Sequence, residues 1–325
     1  MQFRSRESIA TLTASLTNGA PLKLSICIPV FNGARTIAAL VDECVASLAA
    51  HYPLEFVLVN DYSSDDSDAV CKALATRHAF VKYISLRKNF GEHNAVMCAL
   101  NYATGDFTVI IDDDFQNPPG EIRALVEEAR KGYDVVYSRY DAKRHHFFRN
   151  LASRFNNLVA NWLLDKPADL YLSSFKVINA DIVKRIIRYQ GPSPYIDGLI
   201  LRETRSITSV MVEHEERREG KSNYTLAKLV SLWLNMFINF SIKPLRLFAL
   251  FGMVVTLFSF VAAAGFIIQK LLNPDLQIGW TSVIVSILFF AGVQIIFLGL
   301  IGEYLGKHYL HSNGTPQWVV KEEHL

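Results

Sequence analysis

Three consecutive carboxylates, Asp112, Asp113 and Asp114, directly follow the apolar run FTVII at 107–111. Adjacent like charges repel, so a compensating cation is expected. A hard dication such as Mg2+ or Mn2+ takes oxygen ligands and keeps water and substrate phosphate in its shell. If strand geometry persists two residues further, Asp112 and Asp114 project to one side as the ligand pair. Gln116 then adds a carbonyl oxygen or orients a bound water, and Asp113 faces the other way. The competing explanation is an acidic cluster ahead of a helix near Pro118-Pro119, stabilised by the helix macrodipole. A fourth acid, Asp61 in NDYSSD, is placed to accept a hydrogen bond from a nucleobase or ribose. Alternatively Asp61 and Ser63 only cap the next helix, a role for which Asp65 is better placed.

Cationic partners for phosphate come later in the chain. Arg217, Arg218 and Lys221 lie in EHEERREGKS, and arginine favours bidentate phosphate contact. The alternative is a solvated loop with internal ion pairs. Asp169, which heads DLYLSSFK, could orient an acceptor phosphate or serve as a base. Asp197 in PYIDG reads slightly better as a helix cap, and His93 and His214 read as hydrogen-bonding structural histidines.

Five short apolar runs precede or carry these residues: 24–30, 56–59, 81–85, 107–111 and 134–137. Helix-length segments fall between them at about 34–50, 66–78, 92–103 and 119–131. Alternating strands and helices predict an α/β fold with a mostly parallel sheet, whose buried strands read as continuous apolar runs. In such sheets ligands bind beyond the carboxyl ends of the strands, where PVFN, NDYSSD and DDDFQNPP all lie. No GxGxxG follows any strand and no GxxxxGK[ST] occurs, so the dinucleotide-fold and P-loop cradles are excluded.

The chain has 325 residues, half of them hydrophobic and 20% charged, with a net charge of +2. Mean hydropathy is +0.18. Those values exclude a disordered chain and give no case for nucleic-acid binding. Four cysteines without CxxC spacing fit reduced thiols rather than zinc or disulfides. The apolar excess is concentrated near the C-terminus. Leu247–Ile268 is 22 residues without a charge, and Leu276–Gly302 is 27. Each is long enough to cross a bilayer, with Asn273-Pro274 as the turn between them. Lys228, Lys243 and Arg246 precede the first span and Lys307 follows the second, which places both ends on the cytoplasmic face of an inner membrane. In the second span, Gly302 and Gly306 have the spacing of a close helix approach, which suggests self-association.

The expected organisation follows. Residues 1–22 form a flexible leader and 23–225 a cytoplasmic catalytic domain, within which 143–164 reads as a basic amphipathic, interfacial helix. Residues 226–243 form a juxtamembrane amphipathic helix. Residues 244–302 hold two transmembrane helices, about 247–268 and 278–301, and 303–325 form a cytoplasmic tail.

PVFN, NDYSSD and DDDFQNPP, in this order, resemble the family 2 glycosyltransferases of GT-A (Rossmann-like) fold, and more narrowly the polyprenyl-phosphate glycosyltransferases. The resemblance continues through RKNFGEHNA, DLYLSSFK, His214-x-x-Arg217-x-x-Gly220-x-Ser222-x-Tyr224, Pro244-Leu245-Arg246 and Gly302-Glu303-Tyr304. It implies that Asp112 and Asp114 hold Mg2+ or Mn2+ with Gln116 assisting, and that turnover depends on Asp114. It implies that Pro29, Phe31, Asn32 and Asp61 line a nucleotide pocket, to which Asp113 and Lys221 are also assigned, and that Arg217 faces phosphate. Two positions depart from the pattern: Gly33 stands where glutamate is common, and Asn223 where a basic residue is common, with Lys221 nearby.

The function this implies is transfer of one sugar, with inversion, from a nucleotide diphosphate sugar to a polyprenyl phosphate at the bilayer surface. UDP is the expected carrier, judged by bacterial members of the group. A phosphate acceptor is already largely dianionic at neutral pH, its second pKa being about 6, and needs little general-base help. The competing readings are a processive polysaccharide synthase and an inactive sugar-nucleotide-binding scaffold. The first is disfavoured because no QxxRW follows the aspartates.

Overall fold

A computed structural model describes residues 21–140, 170–213, 243–272 and 279–325. The chain divides into two compact units: residues 1–224 with 315–325, and residues 225–314. The first holds β1 (Leu24–Val30), α1 (Ile37–Leu48), β2 (Leu54–Asn60), α2 (Ser67–Arg77), β3 (Val81–Leu86), α3 (Glu92–Tyr102) and β4 (Phe107–Ile110). A 3-10 turn at Pro119–Glu121 leads into α4 (Ile122–Ala129), followed by β5 (Val135–Arg139). After residues 141–169 come β6 (Lys176–Asn179), α5 (Ala180–Ile186), α6 (Ile196–Glu203) and β7 (Ile207–Met211). The second unit holds α7 (Lys243–Leu272) and α8 (Trp280–Ser312), and the chain then returns to the first unit as β8 (Val320–His324).

The eight strands form one sheet in the order β7-β5-β6-β4-β1-β2-β3-β8. The pairs β1–β2, β1–β4, β2–β3 and β5–β7 are parallel, whereas β6 runs antiparallel to β4 and β5, and β8 antiparallel to β3. The central strands are buried almost throughout, which is why their sequences are apolar without alternation. Helices cover the faces with apolar residues at helical spacing. Ile37, Leu40, Val41, Cys44 and Leu48 are the buried side of α1, and Ile122, Leu125, Val126 and Ala129 that of α4. Each fully buried leucine or isoleucine contributes roughly 1.5–3 kcal/mol relative to exposure.

The amino ends of the strands are tied together by one buried carboxylate. Glu55, 4% exposed, accepts from Ser25 Oγ at 2.5 Å and from the Thr104 backbone N–H at 2.8 Å. Lys82 Nζ lies 2.8 Å from it and Lys23 Nζ 3.2 Å. Burial alone would raise this carboxyl, but the bonds from Lys82, Ser25 and Thr104 outweigh it and hold it at about 2.

Sequence order reverses around β1, with β2 on one side and β4 on the other. Pro29 marks where β1 and β4 part. The Val30 carbonyl accepts from Asp61 on the β2 side, and the Cys27 carbonyl from Ile111 on the β4 side. Position 29 therefore turns its backbone nitrogen towards β4, where proline offers no N–H to continue the ladder. The β1–β4 pairing ends at Cys27–Ile110, while β1–β2 pairing continues to Val30–Asn60.

The five predicted strands are present, with boundaries shifted by two residues or fewer. The short β6, β7 and β8 were not expected. Residues 303–325 differ from the anticipated tail, because α8 runs to Ser312 and Val320–His324 pairs with β3. Of the expected interfacial segments, 143–164 and 226–242 lie outside the described residues, as do the leader up to residue 20 and Asn273-Pro274.

In the second unit, α7 and α8 have 30 and 33 residues and enclose both expected spans apart from Ile278 and Gly279. Among the described residues, Phe289–Ser312 is long and apolar enough to cross a membrane, with mean hydropathy 1.6 and no buried residue in its most apolar stretch. Phe248–Ala262 is a shorter apolar stretch. Large apolar side chains stand exposed on both helices, among them Phe251, Leu257, Phe258, Ile287, Ile295 and Leu298.

Candidate active site

The carboxyl ends of β1, β2 and β4 carry the predicted motifs, and each turn holds one non-glycine residue in the left-handed region. These are Asn32 (φ 58°), Tyr62 (φ 60°) and Phe115 (φ 60°), and no other such residue occurs among those described. Backbone strain of this kind clusters at ligand sites, where the surrounding bonds over-determine it. Here those bonds are visible. Asn32 N–H donates to Ser63 Oγ at 3.0 Å, and Asn32 Oδ1 accepts from the Ser64 N–H at 2.8 Å. Gly33 N–H donates to Ser67 Oγ and Ala34 N–H to Asp65 Oδ2. PVFN and NDYSSD are thus one laced structure. Asp65 joins the two loops as well as accepting from the Ser67 N–H, and the N-cap position itself is Asp66. Phe31 and Tyr62 stand out from the loops, 45% and 57% exposed.

Asp61 is 3% exposed, and its two oxygens accept from the backbone N–H groups of Phe90 (2.7 Å) and Gly91 (2.8 Å). It therefore clamps the loop that enters α3, beginning at Gly91 with φ 93°. Burial raises its carboxyl, against the lowering effect of those two bonds. It does not cap α2. Each carboxylate oxygen has a second lone pair, so the clamp leaves capacity for a ligand hydrogen bond.

Strand geometry ends at Ile110, and the three aspartates lie in the turn that follows, with different partners. Asp112 Oδ2 accepts from Ser174 Oγ at 2.6 Å, and Asp114 Oδ1 accepts from the Gln116 N–H at 3.1 Å. Asp113 turns towards the β1 turn, where it accepts from the Phe31 backbone N–H. A Cβ built on Gly33 would lie 2.0 Å from Asp113 Oδ2, so glycine at 33 leaves the space that this carboxylate fills. Asp113 Oδ2 is buried without a hydrogen-bond partner. Burial first, and then the charges of Asp112 and Asp114, push this carboxyl up to about 7. Among the described residues the other buried, partnerless side-chain oxygen is Asn94 Oδ1, in the first turn of α3.

Two groups escaped the sequence reading. Glu92 opens α3, and its carboxyl is pushed up to about 7 by desolvation from the surrounding protein, then by Asp112, Asp197 and Asp114, with Lys176 opposing. It keeps access to solvent. Lys176, 3% exposed, forms a buried ion pair with Asp197, which also accepts from Tyr137 Oη at 2.8 Å. Asp197 is therefore neither a helix cap nor a free base: the cap position is Tyr195, and Asp197 lies in the first turn, 7% exposed. The only signal was membership of RKNFGEHNA, SSFK and PYIDG, since the paired residues lie 21 apart. His93 packs edge-on against Tyr195 at 5.2 Å, and burial lowers its pKa to about 4, as a structural histidine requires.

The structure thus brings together Pro29, Phe31, Asn32, Asp61, Asp112, Asp113, Asp114 and Gln116 at the carboxyl ends of the central strands. Asp169, Arg217, Arg218, Lys221 and His214 lie outside the described residues. Among the described residues no three His, Cys, Asp or Glu side chains converge as a metal cage. A cation here would have Asp112 and Asp114 with the Gln116 amide as its protein ligands. That all-oxygen set is of the kind a hard dication takes, its shell completed by substrate phosphate and water.

An open α/β sheet with an acidic site at its switch point places a ligand site beyond the carboxyl ends of its strands. Comparison with known proteins defines the family. Residues 25–187 match the model "Glycosyl transferase family 2", and 243–307 match "GtrB C-terminal hairpin". The chain belongs to glycosyl transferase family 2 and is a glycosyltransferase. It is 33% identical over 304 residues to the undecaprenyl-phosphate 4-deoxy-4-formamido-L-arabinose transferase of Serratia proteamaculans, covering 92% of this chain and 93% of that one. The Yersinia enterocolitica enzyme of the same name is 32% identical over the same length and coverage. Among solved structures, glucosyl-3-phosphoglycerate synthase of Mycobacterium tuberculosis, crystallised with Mn2+, UDP and phosphoglyceric acid, superposes with TM-score 0.52. It is 20% identical and covers 71% of this chain and 80% of that one, a likeness of fold.

Proposed function

We propose that this glycosyltransferase is anchored in the cytoplasmic membrane. There it moves a single sugar, with inversion, from a UDP-sugar to undecaprenyl or a related polyprenyl phosphate. The observation that carries the reading is an oxygen-rich acidic site at the switch point of the sheet, in a chain that also holds a helix long and apolar enough to cross a membrane. The names of its relatives, alike over nearly the full length, support the acceptor.

In this reading a phosphate oxygen of the acceptor attacks the anomeric carbon as the bond from that carbon to the nucleoside diphosphate breaks. The products are a polyprenyl phosphosugar and the free nucleoside diphosphate. Asp112 and Asp114 with Gln116 would hold Mg2+ or Mn2+, which would supply charge neutralisation for the departing diphosphate. Asp61 and the laced loops of Phe31 and Asn32 position the nucleoside, with Pro29 and Asp113 beneath it. Asp169, Arg217 and Lys221 serve the acceptor phosphate and the diphosphate. The apolar surfaces of α7 and α8 are the bilayer anchor, with both termini cytoplasmic, and Gly302 and Gly306 favour self-association. Purified protein, labelled UDP-sugars, undecaprenyl phosphate and Mn2+ test the proposal. A labelled lipid bearing one sugar is expected, and its absence across a broad donor panel overturns it.

A further inference from the structure

The last eleven residues return from the apolar helices to the sheet and attach at two places. Gln317, 8% exposed, donates from Nε2 to the Tyr189 carbonyl, in the connection between α5 and α6, at 2.6 Å. Two residues later the Val319 carbonyl accepts from the Arg87 N–H at 2.9 Å. From there β8 pairs antiparallel to β3. Its acidic side chains add Lys72–Glu322 at 2.7 Å and Tyr102 Oη–Glu323 at 2.7 Å.

Arg87 is the first residue after β3 and begins the loop Arg87–Gly91, whose far end Asp61 holds through the Phe90 and Gly91 N–H groups. Asn89 Nδ2 also donates to the Asp61 carbonyl. The loop is therefore gripped at both ends, by Asp61 from β2 and by the carboxyl-terminal strap from β8. Nothing in VKEEH is apolar enough to hold the strand by burial alone, so the grip rests on backbone bonds, the Gln317 anchor and ion pairs.

We infer that the strap Thr315–His324 positions the Arg87–Gly91 loop for donor binding, with Gln317 as a positioning residue. The inference rests on the assignment of Asp61 and its loop to the nucleotide. Without the strap, the loop loses its fixed start, and Asp61 then holds a mobile partner instead of a preformed one. The cost falls on donor affinity, while the acidic residues after β4 keep their own bonds to Ser174 and Gln116.

The test compares the full chain with Gln317→Leu, Gln317→Asn and a chain ending at Gly314. Hydrogen exchange is read at the Phe90 and Gly91 amides, and donor KM and kcat are read in the transfer assay. Both amides should exchange at least tenfold faster in Gln317→Leu and in the shortened chain, while the Thr104 amide, bound to Glu55, stays unchanged. Donor KM should rise severalfold with kcat within twofold. Gln317→Asn should fall between, and a Thr315–Leu325 peptide added to the shortened chain should restore protection. Unchanged exchange at Phe90 and Gly91 in variants with intact Thr104 protection overturns the inference. So does faster exchange with unaltered donor KM in an active enzyme. Exchange needs no turnover, so inactivity of the native chain with every donor would defeat the functional reading while faster exchange still supported the strap's grip on the loop.

Discussion

At the scale of single residues, the site gathers Asp61, Asp112, Asp113 and Asp114 beyond the carboxyl ends of β2 and β4. Asp114→Ala removes one oxygen of the expected ligand pair, and transfer should fall about a hundredfold or more with the folded state retained. Circular dichroism and a metal titration separate that outcome from unfolding, and full activity would refute the metal role. Gly33 tests a different point. Its missing side chain leaves room for Asp113, and a Cβ would meet Asp113 Oδ2 at 2.0 Å. Gly33→Ala should therefore displace that carboxylate and cost about 1–3 kcal/mol in denaturant unfolding, as overpacking does. The double variant Gly33→Ala, Asp113→Ala should recover most of that loss, because the colliding group is gone. Candidate acids were visible in the sequence because three adjacent aspartates after an apolar strand need an explanation. The division of labour among them was visible only in part. That Asp113 fills the space left by Gly33 was not visible, because the two lie 80 residues apart in the chain. Asp197 was misread for the same reason, since nothing local reveals that Lys176 neutralises it.

At the scale of elements, the amino ends of the strands carry stability and the carboxyl ends carry chemistry. Glu55 joins β1, β2, β3 and the turn before β4 through Ser25, Lys82, Lys23 and Thr104. Its folded carboxyl titrates near 2, below the ordinary value of 4.5. The unfolded chain thus binds the proton first, so this contribution is complete above about pH 5 and is lost as pH falls towards 2. Glu55→Gln should cost roughly 3 kcal/mol at neutral pH and flatten the acid limb of the Tm profile between pH 5 and 2. An unaltered limb would count against this role. Strands β1 to β5 were legible because burial on both faces makes them continuous apolar runs. β6 and β7 follow segments with no comparable pattern. β8 was illegible because VKEEH is held by the edge of β3 and by ion pairs, and its composition is that of a solvated tail.

At the scale of the whole molecule, a charged catalytic unit is joined to two helices that expose many large apolar side chains among the described residues. If lipid covers Phe289–Ser312, an arginine there meets hydrocarbon. Leu298→Arg should cost about 2.5–3.5 kcal/mol of insertion and move protein from the carbonate-washed membrane pellet to the soluble or aggregated fraction. An unchanged pellet fraction would argue that this helix is covered by protein. The expectation of two helices came from charge-free runs of 22 and 27 residues, which is the plainest signal in the chain.

The most direct measurement is single-sugar transfer to polyprenyl phosphate. Full-length protein in lipid nanodiscs is given undecaprenyl phosphate, Mn2+ and a panel of labelled UDP-sugars, and the lipid extract is weighed by mass spectrometry. The account predicts a product heavier than the acceptor by one glycosyl unit, dependent on the divalent ion and absent in Asp114→Ala. A polymer on the lipid, or release of UDP with no labelled lipid from any donor, would contradict it.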